Sequence, residues 1–345
     1  MEAQARPLEP LHLIPGRGRL KMNVLVSSAS RKVSLVRAFQ QALAVEGKGK
    51  VIAVDSSTFS PALYSADEHC IVPALCDGEY YGVMRTLCRE REVDLLIPTS
   101  DEELPFFAGH AGEFLKEGTR VMVSPLSAVT VCQDKRRFVE FCSARGFATP
   151  ANCASATALS GAAFPLFVKP RREKGGRGAV RVDSREELAA VLSHFPDAIV
   201  QEFVNAPEYS VDFFADFSGT AISVVPRERI RIFGGESFVS RTSRNAVIIA
   251  ESVRLAKALG LTGHATLQCF FHSGAAKFIE VNPRFGGGAS LGFAAGAPTP
   301  LFLVKLVKGE RVEPRIGEFR DNYVMLRYTD DMFFEQSSLE GEEDT

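Results

Sequence analysis

Three oxygen-bearing side chains near the end of the sequence, Gln268, Glu280 and Asn282, have the chemistry of a metal site. Hard divalent cations take oxygen ligands, and Mg²⁺ binds one or two carboxylates while it shares its other coordination positions with nucleotide phosphates. Arg284 and the three glycines at 286–288 follow at once. We therefore expect a magnesium site that faces phosphate. The alternative is the solvated polar face of a surface hairpin.

A β-hairpin is needed to bring these side chains together. If residues 273–275 form a three-residue loop, His272 pairs with Ala276 and Gln268 lies opposite Glu280. Strand alternation then predicts that Thr266, Gln268 and Phe270 share one face of the first strand. It likewise predicts that Phe278, Glu280 and Asn282 share one face of the second strand. The polar members of both faces would meet on one side of the hairpin.

Two lysines stand at positions that favour an anion. Asp134 has the type and position of a helix N-cap. Lys135 then lies in the first turn, where the helix dipole disfavours a cation unless an anion such as phosphate neutralises it. Lys169 lies inside an apolar strand, so its side chain should point from the sheet toward a negative group. An ordinary exposed lysine is the alternative at position 135.

The segment that follows Lys169 is basic and rich in glycine. Its turn contains Lys174, Gly175, Gly176 and Gly178. Backbone N–H groups of such a turn can surround phosphate oxygens, because glycine permits close approach and positive φ. We expect a flap that closes over phosphates during turnover. A plain hairpin with solvated charges is the alternative.

A connector between two later strands has the features of a nucleoside site. The first strand ends at Glu202, Phe203 and Val204, and the second begins after Glu208. An extended connector suits recognition of an adenine edge through backbone groups, and a carboxylate shortly after it can accept hydrogen bonds from ribose hydroxyls.

The first third of the chain alternates strand and helix. We expect strands at 23–27, 51–55, 70–72, 94–98 and 120–124, with helices at 32–44, 80–92 and 102–117. This order predicts a parallel sheet with helices on both faces. Ser30, Arg31, Asp55 and the turn 99–102 would lie at its carboxyl edge as substrate contacts, with caps or solvated turns as the alternative. The first turn lacks G-x-G-x-x-G, which argues against NAD.

Composition narrows the functional classes. A chain of 345 residues, 46% hydrophobic and 24% charged, is long enough for two or three packed domains. A net charge of −2 without a basic block argues against nucleic acid, and interrupted apolar stretches argue against a membrane partner. Seven scattered cysteines indicate reduced thiols, and residues 1–21 lack the apolar region of a signal peptide. We expect a cytoplasmic protein.

Taken in order, these motifs resemble the ATP-grasp superfamily, and within it the stand-alone proteins similar to half of the carbamoyl phosphate synthase large subunit. The series comprises Asp134-Lys135, Lys169-Pro170, residues 174–178, 201–204 and 208–212, Gln268, and residues 280–284. The resemblance implies a mixed α/β and α+β fold, with an N-terminal doubly wound parallel-sheet domain before a two-subdomain ATP-grasp fold. The implied divisions are a disordered tail (1–21), a pre-ATP-grasp domain (22–126), a small lid subdomain (127–199), a C-terminal subdomain (200–330) and a disordered acidic tail (331–345).

The same resemblance implies a role for each candidate residue. The ATP phosphates would contact Lys135, Lys169, Lys174, Gly175, Gly176 and Gly178. The adenine would contact Glu202, Phe203 and Val204, and the ribose would contact Glu208. One or two Mg²⁺ or Mn²⁺ ions would be held by Gln268, Glu280 and Asn282. Catalysis would involve Lys169, Arg229 and Arg284, with Arg284 on the γ-phosphate or the acyl phosphate. Arg229 belongs to a run with Arg227 and Arg231, whose alternation predicts a shared face, with a solvated position for at least one of them as the alternative.

The implied activity is that of an ATP-dependent carboxylate–amine, or carboxylate–thiol, ligase that acts through an acyl phosphate and releases ADP and phosphate. Its partners would be small-molecule acids and amines such as amino acids, and the protein could form a homodimer. We do not expect carbamoyl phosphate synthesis, because the chain contains a single grasp unit. The alternatives are a nucleotide sensor without ligase activity and a carboxylate or carbamate kinase-like activity.

Overall fold

The computed structural model describes residues 21–153, 161, 163–172 and 178–339. Its N-terminal part is a five-stranded parallel sheet in the order β3-β2-β1-β4-β5. Its elements are β1 (Asn23–Ser27), α1 (Val33–Glu46), β2 (Val51–Asp55), β3 (Glu68–Ile71), α2 (Tyr80–Glu90), β4 (Val93–Pro98), α3 (Leu104–Lys116) and β5 (Arg120–Val121). Strand β1 is buried throughout because helices cover both faces. The predicted doubly wound sheet is confirmed, although β3 begins before residue 70 and β5 ends before residue 124.

A smaller sheet follows two helices, α4 (Leu126–Cys132) and α5 (Lys135–Ala144). This antiparallel sheet has the order β7-β6-β8. Its elements are β6 (Leu166–Lys169), β7 (Val180–Val182), α6 (Arg185–His194) and β8 (Ile199–Glu202). The sheet has its own core, in which Leu188 of α6 packs on Val168. Because β8 continues to Glu202, it spans the predicted subdomain boundary at 199, and the domain boundaries stay predictions.

The largest sheet is antiparallel, with the order β13-β12-β9-β10-β11-β14. Its strands are β9 (Glu208–Ala215), β10 (Ala221–Phe233), β11 (Glu236–Thr242), β12 (Gly263–His272), β13 (Ala275–Asn282) and β14 (Val324–Leu326). The remaining helices are α7 (Ala246–Leu259), α8 (Ser290–Ala294), α9 (Thr299–Val307) and two short 3₁₀ helices, Leu63–Ser65 and Gln336–Ser338. One face packs on α4, α5 and α7 through residues such as Phe138, Val211 and Leu255. The other face carries the polar side chains of the candidate site.

The parallel sheet and the largest sheet share one apolar core. Val24 and Val26 of β1 belong to the same buried cluster as Phe214 of β9, Phe285 after β13, and Phe302 of α9. Helix α1 also packs directly on α9. This joint packing brings the turn after β4 next to the segment after β13, where the candidate site lies.

No helix in the described ranges combines the length and the apolar character that crossing a bilayer requires. All seven cysteines are free thiols. Burial raises the pKa of Cys88, Cys142 and Cys269 to about 12, so these thiols stay protonated at neutral pH and serve as packing groups.

Candidate active site

The hairpin β12–β13 sets the spacing of the three predicted metal ligands. Its turn is Ser273-Gly274, both at positive φ (50° and 78°), and His272 pairs with Ala275. The predicted three-residue loop and the pairing of His272 with Ala276 are therefore wrong. Gln268 nevertheless lies opposite Glu280, as predicted. The loop is one residue shorter than predicted, and β13 contains one extra residue as a β-bulge.

This bulge lies at Ile279, because Cys269 pairs with Phe278 while the preceding Gln268 pairs with Glu280. It moves Phe278 to the opposite face from Glu280. The Phe278 ring is buried against Phe147, with ring centroids 6.4 Å apart. The predicted common face for Phe278 and Glu280 is therefore wrong, since simple alternation does not cross a bulge.

Gln268, Glu280 and Asn282 converge on a single oxygen atom. Gln268 Nε2 and Asn282 Nδ2 donate to Glu280 Oε1 at 3.0 and 3.1 Å. The two amide groups and the carboxylate are therefore close enough together to supply oxygen atoms to one site. Within the described ranges, no group of three or more His, Cys, Asp or Glu residues is arranged for a metal. A set with one carboxylate and two amides suits Mg²⁺ that is shared with phosphate rather than a cation enclosed by protein alone.

These side chains line a cavity of about 710 Å³, which we call the polar cavity. Its walls come from the parallel sheet, from α5 and from the polar face of the largest sheet. The charged residues that line it are Arg31, Lys32, Asp101, Glu102, Lys135, Arg172, Arg227, Arg229, Glu236, Glu280, Arg284 and Arg327. Cations outnumber carboxylates in this set, so the cavity is suited to an anionic ligand.

Arg229 connects the metal-ligand candidates to the neighbouring strands. Its Nη1 forms an ion pair with Glu208 and donates to Gln268 Oε1 at 3.0 Å, and its Nη2 donates to the Gly235 carbonyl at 2.7 Å. Burial raises the pKa of Glu208, and Arg229 opposes this shift. Glu208 therefore contacts a residue that lines the polar cavity without lining it itself, and its predicted contact with ribose stays a prediction.

The arginine run on β10 does not share one face. Arg227 is fully buried and pairs with Asp212 at 2.6 and 2.8 Å. Arg229 follows on the same side, but the strand register shifts between Arg229 and Arg231. Arg231 is exposed and is not part of the cavity lining. The predicted common face therefore holds for Arg227 and Arg229 and is wrong for Arg231.

Arg284 is held by the N-terminal part of the chain. Its guanidinium forms a bidentate ion pair with Asp101, which is buried in the predicted 99–102 turn. Glu103 holds this turn by accepting N–H groups of Thr99 and Ser100 at 2.7 and 2.9 Å. Burial raises the pKa of Glu103, although these hydrogen bonds oppose the shift. Asp101 and Glu102 of this turn line the polar cavity, while the predicted contact of the turn with substrate stays a prediction.

Of the other candidate residues at this edge, one lines the polar cavity and another forms hydrogen bonds within its own loop. Arg31 lines the polar cavity, together with Lys32. Asp55 instead accepts the N–H groups of Ser30 and Ser57 at 2.8 and 3.1 Å. Asp55 therefore stabilises the loop, which matches the alternative interpretation given for that residue.

Asp134 links the two lysine segments. It caps α5 by accepting the N–H groups of Arg136 and Arg137, and it forms a bidentate pair with Arg171 at 2.8 and 2.6 Å. The predicted N-cap is confirmed. Because Arg171 follows Lys169 by two residues, this pair holds the end of β6 against the first turn of α5, where Lys135 lines the polar cavity.

Lys169 is buried on β6. Burial and the nearby charge of Lys135 lower the pKa of its ammonium to about 8, although the charges of Glu280 and Glu208 oppose the shift. These influences place Lys169 close to the ligand candidates, although it does not itself line the polar cavity. An additional anion beside it would favour the protonated form.

The predicted adenine segment lies away from the polar cavity. Glu202 pairs with Lys277 at 2.6 Å and accepts the N–H of Ala151 at 3.0 Å. The Phe203 ring lies beneath the guanidinium of Arg181, and Val204 is buried. None of Glu202, Phe203 and Val204 lines the polar cavity, and their contact with adenine stays a prediction.

The predicted flap lies mostly outside the described residues, which exclude Lys174, Gly175 and Gly176. Gly178 is described and has φ of 68°, a conformation that favours glycine. A Cβ atom there would lie 2.9 Å from Cγ of Pro170. The role of these residues in phosphate binding stays a prediction.

Several cavity residues were not singled out from the sequence, among them Lys32, Glu236 and Arg327. Arg327 pairs with Glu236 and donates to the Gly287 carbonyl. Burial lowers the pKa of Lys32, and Arg284 contributes to the same shift. These residues come from α1, β11 and the end of β14, so no local spacing could have related them.

The glycines at 286–288 pack tightly on the sheet. A Cβ atom at Gly286 would lie 2.5 Å from Thr266 Oγ1, and one at Gly288 would collide with the Arg227 guanidinium. The loop therefore needs glycine because the backbone approaches buried side chains. This approach brings the backbone to the rim of the polar cavity.

Two protein-family profiles match the chain. One, described as PylC-like, N-terminal domain, matches residues 24–122, and the other, described as ATP-grasp in the biosynthetic pathway with Ter operon, matches residues 194–330. The carbamoyl phosphate synthase large chain of Caldanaerobacter subterraneus subsp. tengcongensis is 22% identical over 223 residues, which is 58% of this chain and 21% of that protein. The chain thus spans about a fifth of the length of the curated relatives it matches.

Solved structures show the same fold. An L-amino acid ligase from Bacillus licheniformis aligns with a TM-score of 0.66 at 21% identity, covering 87% of this chain and 77% of that one. A biotin carboxylase from Campylobacter jejuni aligns with a TM-score of 0.66 at 16% identity, covering 85% and 72%. Sheet order, profile matches and structural likeness agree: the chain has the ATP-grasp fold, and its residues 194–330 match an ATP-grasp family profile.

Proposed function

We propose that this chain is an ADP-forming carboxylate–amine ligase that uses Mg²⁺ and ATP and acts through an acyl phosphate. The observation that carries the proposal is the convergence of Gln268, Glu280 and Asn282 with Arg229 and Arg284 in the polar cavity. Phosphoryl transfer requires positioning and neutralisation of phosphate oxygens more than covalent help from the protein. Amide and carboxylate ligands with two arginines meet that requirement.

The side chains suit a magnesium-bound triphosphate. Glu280 supplies one carboxylate, and the amides of Gln268 and Asn282 supply two further oxygens, which leaves coordination positions for one or two ions to share with phosphate. When bound, Mg²⁺ would neutralise charge on the transferred phosphoryl oxygens. Lys135 adds a cation at the N-terminus of α5, where backbone N–H groups also favour an anion. Lys169 is mostly protonated at neutral pH, because its pKa is about 8.

The reaction consists of two displacements. A carboxylate oxygen of the acid attacks the γ-phosphorus of ATP, the new P–O bond forms, and the bond to ADP breaks. An amine nitrogen then attacks the acyl carbon, the C–N bond forms, the C–O bond to phosphate breaks, and the amine loses a proton. Arg229 and Arg284 would stabilise the oxygens that carry negative charge in the first displacement. A thiol in place of the amine would change only the second displacement.

The class of substrate is supported by the likeness to a structure named as an L-amino acid ligase. Amino acids and other small acids and amines are therefore the first substrates to test. Water would hydrolyse an acyl phosphate, so the site must exclude bulk water while this intermediate is present.

Hydroxylamine trapping tests the proposed function. The protein is incubated with ATP, MgCl₂, hydroxylamine and one acid at a time from a panel that includes amino acids. A hydroxamate should form in step with ADP, and only when the acid and Mg²⁺ are both present. AMP and pyrophosphate as stoichiometric products would overturn the acyl-phosphate mechanism. Nucleotide binding without acid-dependent ADP release would favour a sensor, and accumulation of an acyl phosphate that no amine consumes would favour a kinase-like activity.

A further inference from the structure

A second and larger cavity, of about 1480 Å³, adjoins the polar cavity. Residues that line both cavities form a junction between them, and include Arg31, Lys32, Glu236, Gly286, Gly287 and Arg327. The two cavities are therefore neighbours, with these residues at their common boundary. We call the second space the apolar cavity.

The walls of the apolar cavity are built from three separate parts of the chain. Helix α1 contributes Ala38 and Val45, the segment after β13 contributes Phe285 and Phe293, and the last part of the chain contributes Leu326 and Phe333. Leu326 is 73% exposed and Phe333 is 90% exposed. Neither side chain belongs to a core cluster of the described residues. Their exposure in a concave wall is expected of a surface that buries an apolar ligand.

Packing on both sides fixes the shape of the apolar cavity. The Phe285 ring is buried and stacks on His264, with centroids 4.1 Å apart. The segment after β14 is held across the cavity by Phe334, whose ring packs on Tyr64 at 4.5 Å. The cavity is therefore formed before any ligand binds.

The junction carries net positive charge. Among the described residues that line both cavities, Arg31, Lys32 and Arg327 are cationic and Glu236 is the one carboxylate. Glu236 pairs with Arg31 at 3.3 Å and also with Arg327. Lys32 and Arg327 are half-buried, and an anion beside them would be stabilised by charge and by hydrogen bonding. A polar, cationic junction next to an apolar space suits a molecule with a carboxylate at one end.

We infer that the acid substrate is an amphiphilic carboxylate, whose carboxyl group lies at the junction and whose apolar chain or ring lies in the apolar cavity. The inference rests on the proposed function and narrows its acid to a compound with a sizeable hydrocarbon part. The carboxyl group would then face the polar cavity, where the γ-phosphate is expected. Affinity should rise about fourfold for each added methylene group, because each one is removed from water.

A homologous series of straight-chain carboxylates, from acetate to decanoate, tests the inference. Each acid is titrated by calorimetry into the full chain, saturated with Mg²⁺ and a non-hydrolysable ATP analogue. The dissociation constant should fall about fourfold per methylene over the middle of the series. A dissociation constant that does not change with chain length would overturn the inference.

Two variants locate the binding surface. Leu326→Asp adds a charge at an exposed wall position, so the fold should persist. Ala38→Glu adds a charge to the wall that α1 forms. Both should remove most of the dependence on chain length. Val324→Asp is the matched control, because Val324 lies on the same strand, is 48% exposed and does not line the apolar cavity. Chain-length dependence that survives both wall variants would overturn the assignment.

Sedimentation and turnover separate the remaining outcomes. If the parent is a dimer that Leu326→Asp dissociates while acid affinities stay unchanged, a second copy covers this surface and the inference fails. If the acids bind with the expected dependence but release no ADP, the cavity assignment stands and the ligase proposal fails. If short polar acids drive ADP release and added methylenes give no gain, the ligase proposal stands and the inference fails.

Discussion

Arg284 and Asp101 form a bidentate ion pair across the two sheets, with Nε–Oδ1 and Nη2–Oδ2 distances of 2.9 and 2.6 Å. The partners are 183 positions apart in the sequence. Asp101 is 8% exposed, so this pair is well shielded from solvent. The direction of the Arg284 guanidinium, a proposed catalytic group, is therefore set by the neighbouring parallel-sheet domain.

A double-mutant cycle should detect this coupling. We expect Asp101→Ala and Arg284→Met each to lower the free energy of unfolding by roughly 2–3 kcal/mol, because charge-assisted hydrogen bonds are lost. The double variant should lose clearly less than the sum, which urea denaturation of all four proteins measures. Glu313→Ala, at the exposed Arg311–Glu313 pair, is the control and should change stability by less than about 0.5 kcal/mol. Additive losses would contradict a direct interaction.

Glu280→Gln should abolish the proposed metal site while the fold persists. Turnover should fall about 100-fold or more, because the one carboxylate of the ligand set is lost. A readout independent of activity is the gain in ATP affinity on adding Mg²⁺, measured by calorimetry, which should disappear. Glu228→Gln is the control, because Glu228 lies on β10 and pairs with exposed Arg241 away from the cavity. Equal effects of Mg²⁺ in Glu280→Gln and the parent would contradict the metal assignment.

Lys169→Met should increase stability and weaken nucleotide binding. The pKa of Lys169 is lowered in the folded protein to about 8, below the unfolded value near 10.5. Between these values the unfolded chain binds more protons, so the penalty for burying the charged lysine is complete below pH 8 and is relieved as the pH rises toward 10.5. The variant should be more stable than the parent by roughly 1–3 kcal/mol at pH 7, with a smaller difference at pH 9.5.

Urea denaturation at the two pH values measures this difference. ATP affinity of the Lys169→Met variant should fall at least about tenfold at pH 7, since a charge-assisted contact is lost. Lys257→Met, on the exposed side of α7, should leave both quantities nearly unchanged. A variant that binds ATP as tightly as the parent would place Lys169 outside the nucleotide site.

Gly288→Ala should disturb the packing of the glycine loop on the sheet below the site. The added methyl group collides with the guanidinium of Arg227, which is buried and held in place by its ion pair with Asp212. We expect a loss of roughly 1–3 kcal/mol in thermal unfolding, with lower turnover. Gly82→Ala is the matched control, because Gly82 is exposed in α2 with no atom within 4 Å of the added Cβ, and it should be neutral or stabilising. Similar losses in both variants would contradict close packing under the glycine loop.

Local chemistry in the sequence predicted the elements that carry the site. Asp134 was recognisable as an N-cap because its side chain satisfies N–H groups within one helical turn. The turn at 99–102 was recognisable because the ends of parallel strands meet at one edge. The pairing of Gln268 with Glu280 was predicted correctly from a loop of the wrong length, because the bulge at Ile279 restores the same register.

Other parts of the site depend on packing between distant segments. Phe278 faces the core because of the bulge, and strand alternation with a period of two does not predict a bulge. The outward position of Arg231 follows from a similar irregularity in β10. Lys32, Glu236 and Arg327 meet only because α1, β11 and β14 border one cavity. No spacing within any one segment relates these three residues.

The apolar core that joins β1 to β9 and α9 has a consequence for recombining this chain with other chains of the same fold. Val26 and Phe302 lie in one buried cluster, although Val26 belongs to the first profile match and Phe302 to the second. A chimera that exchanges residues 24–122 must therefore match the donor's helix α1 surface to α9, and must also supply an acidic partner for Arg284. The unit to exchange is therefore the pair of sheets together, and the breakpoints that preserve it lie outside residues 23–326.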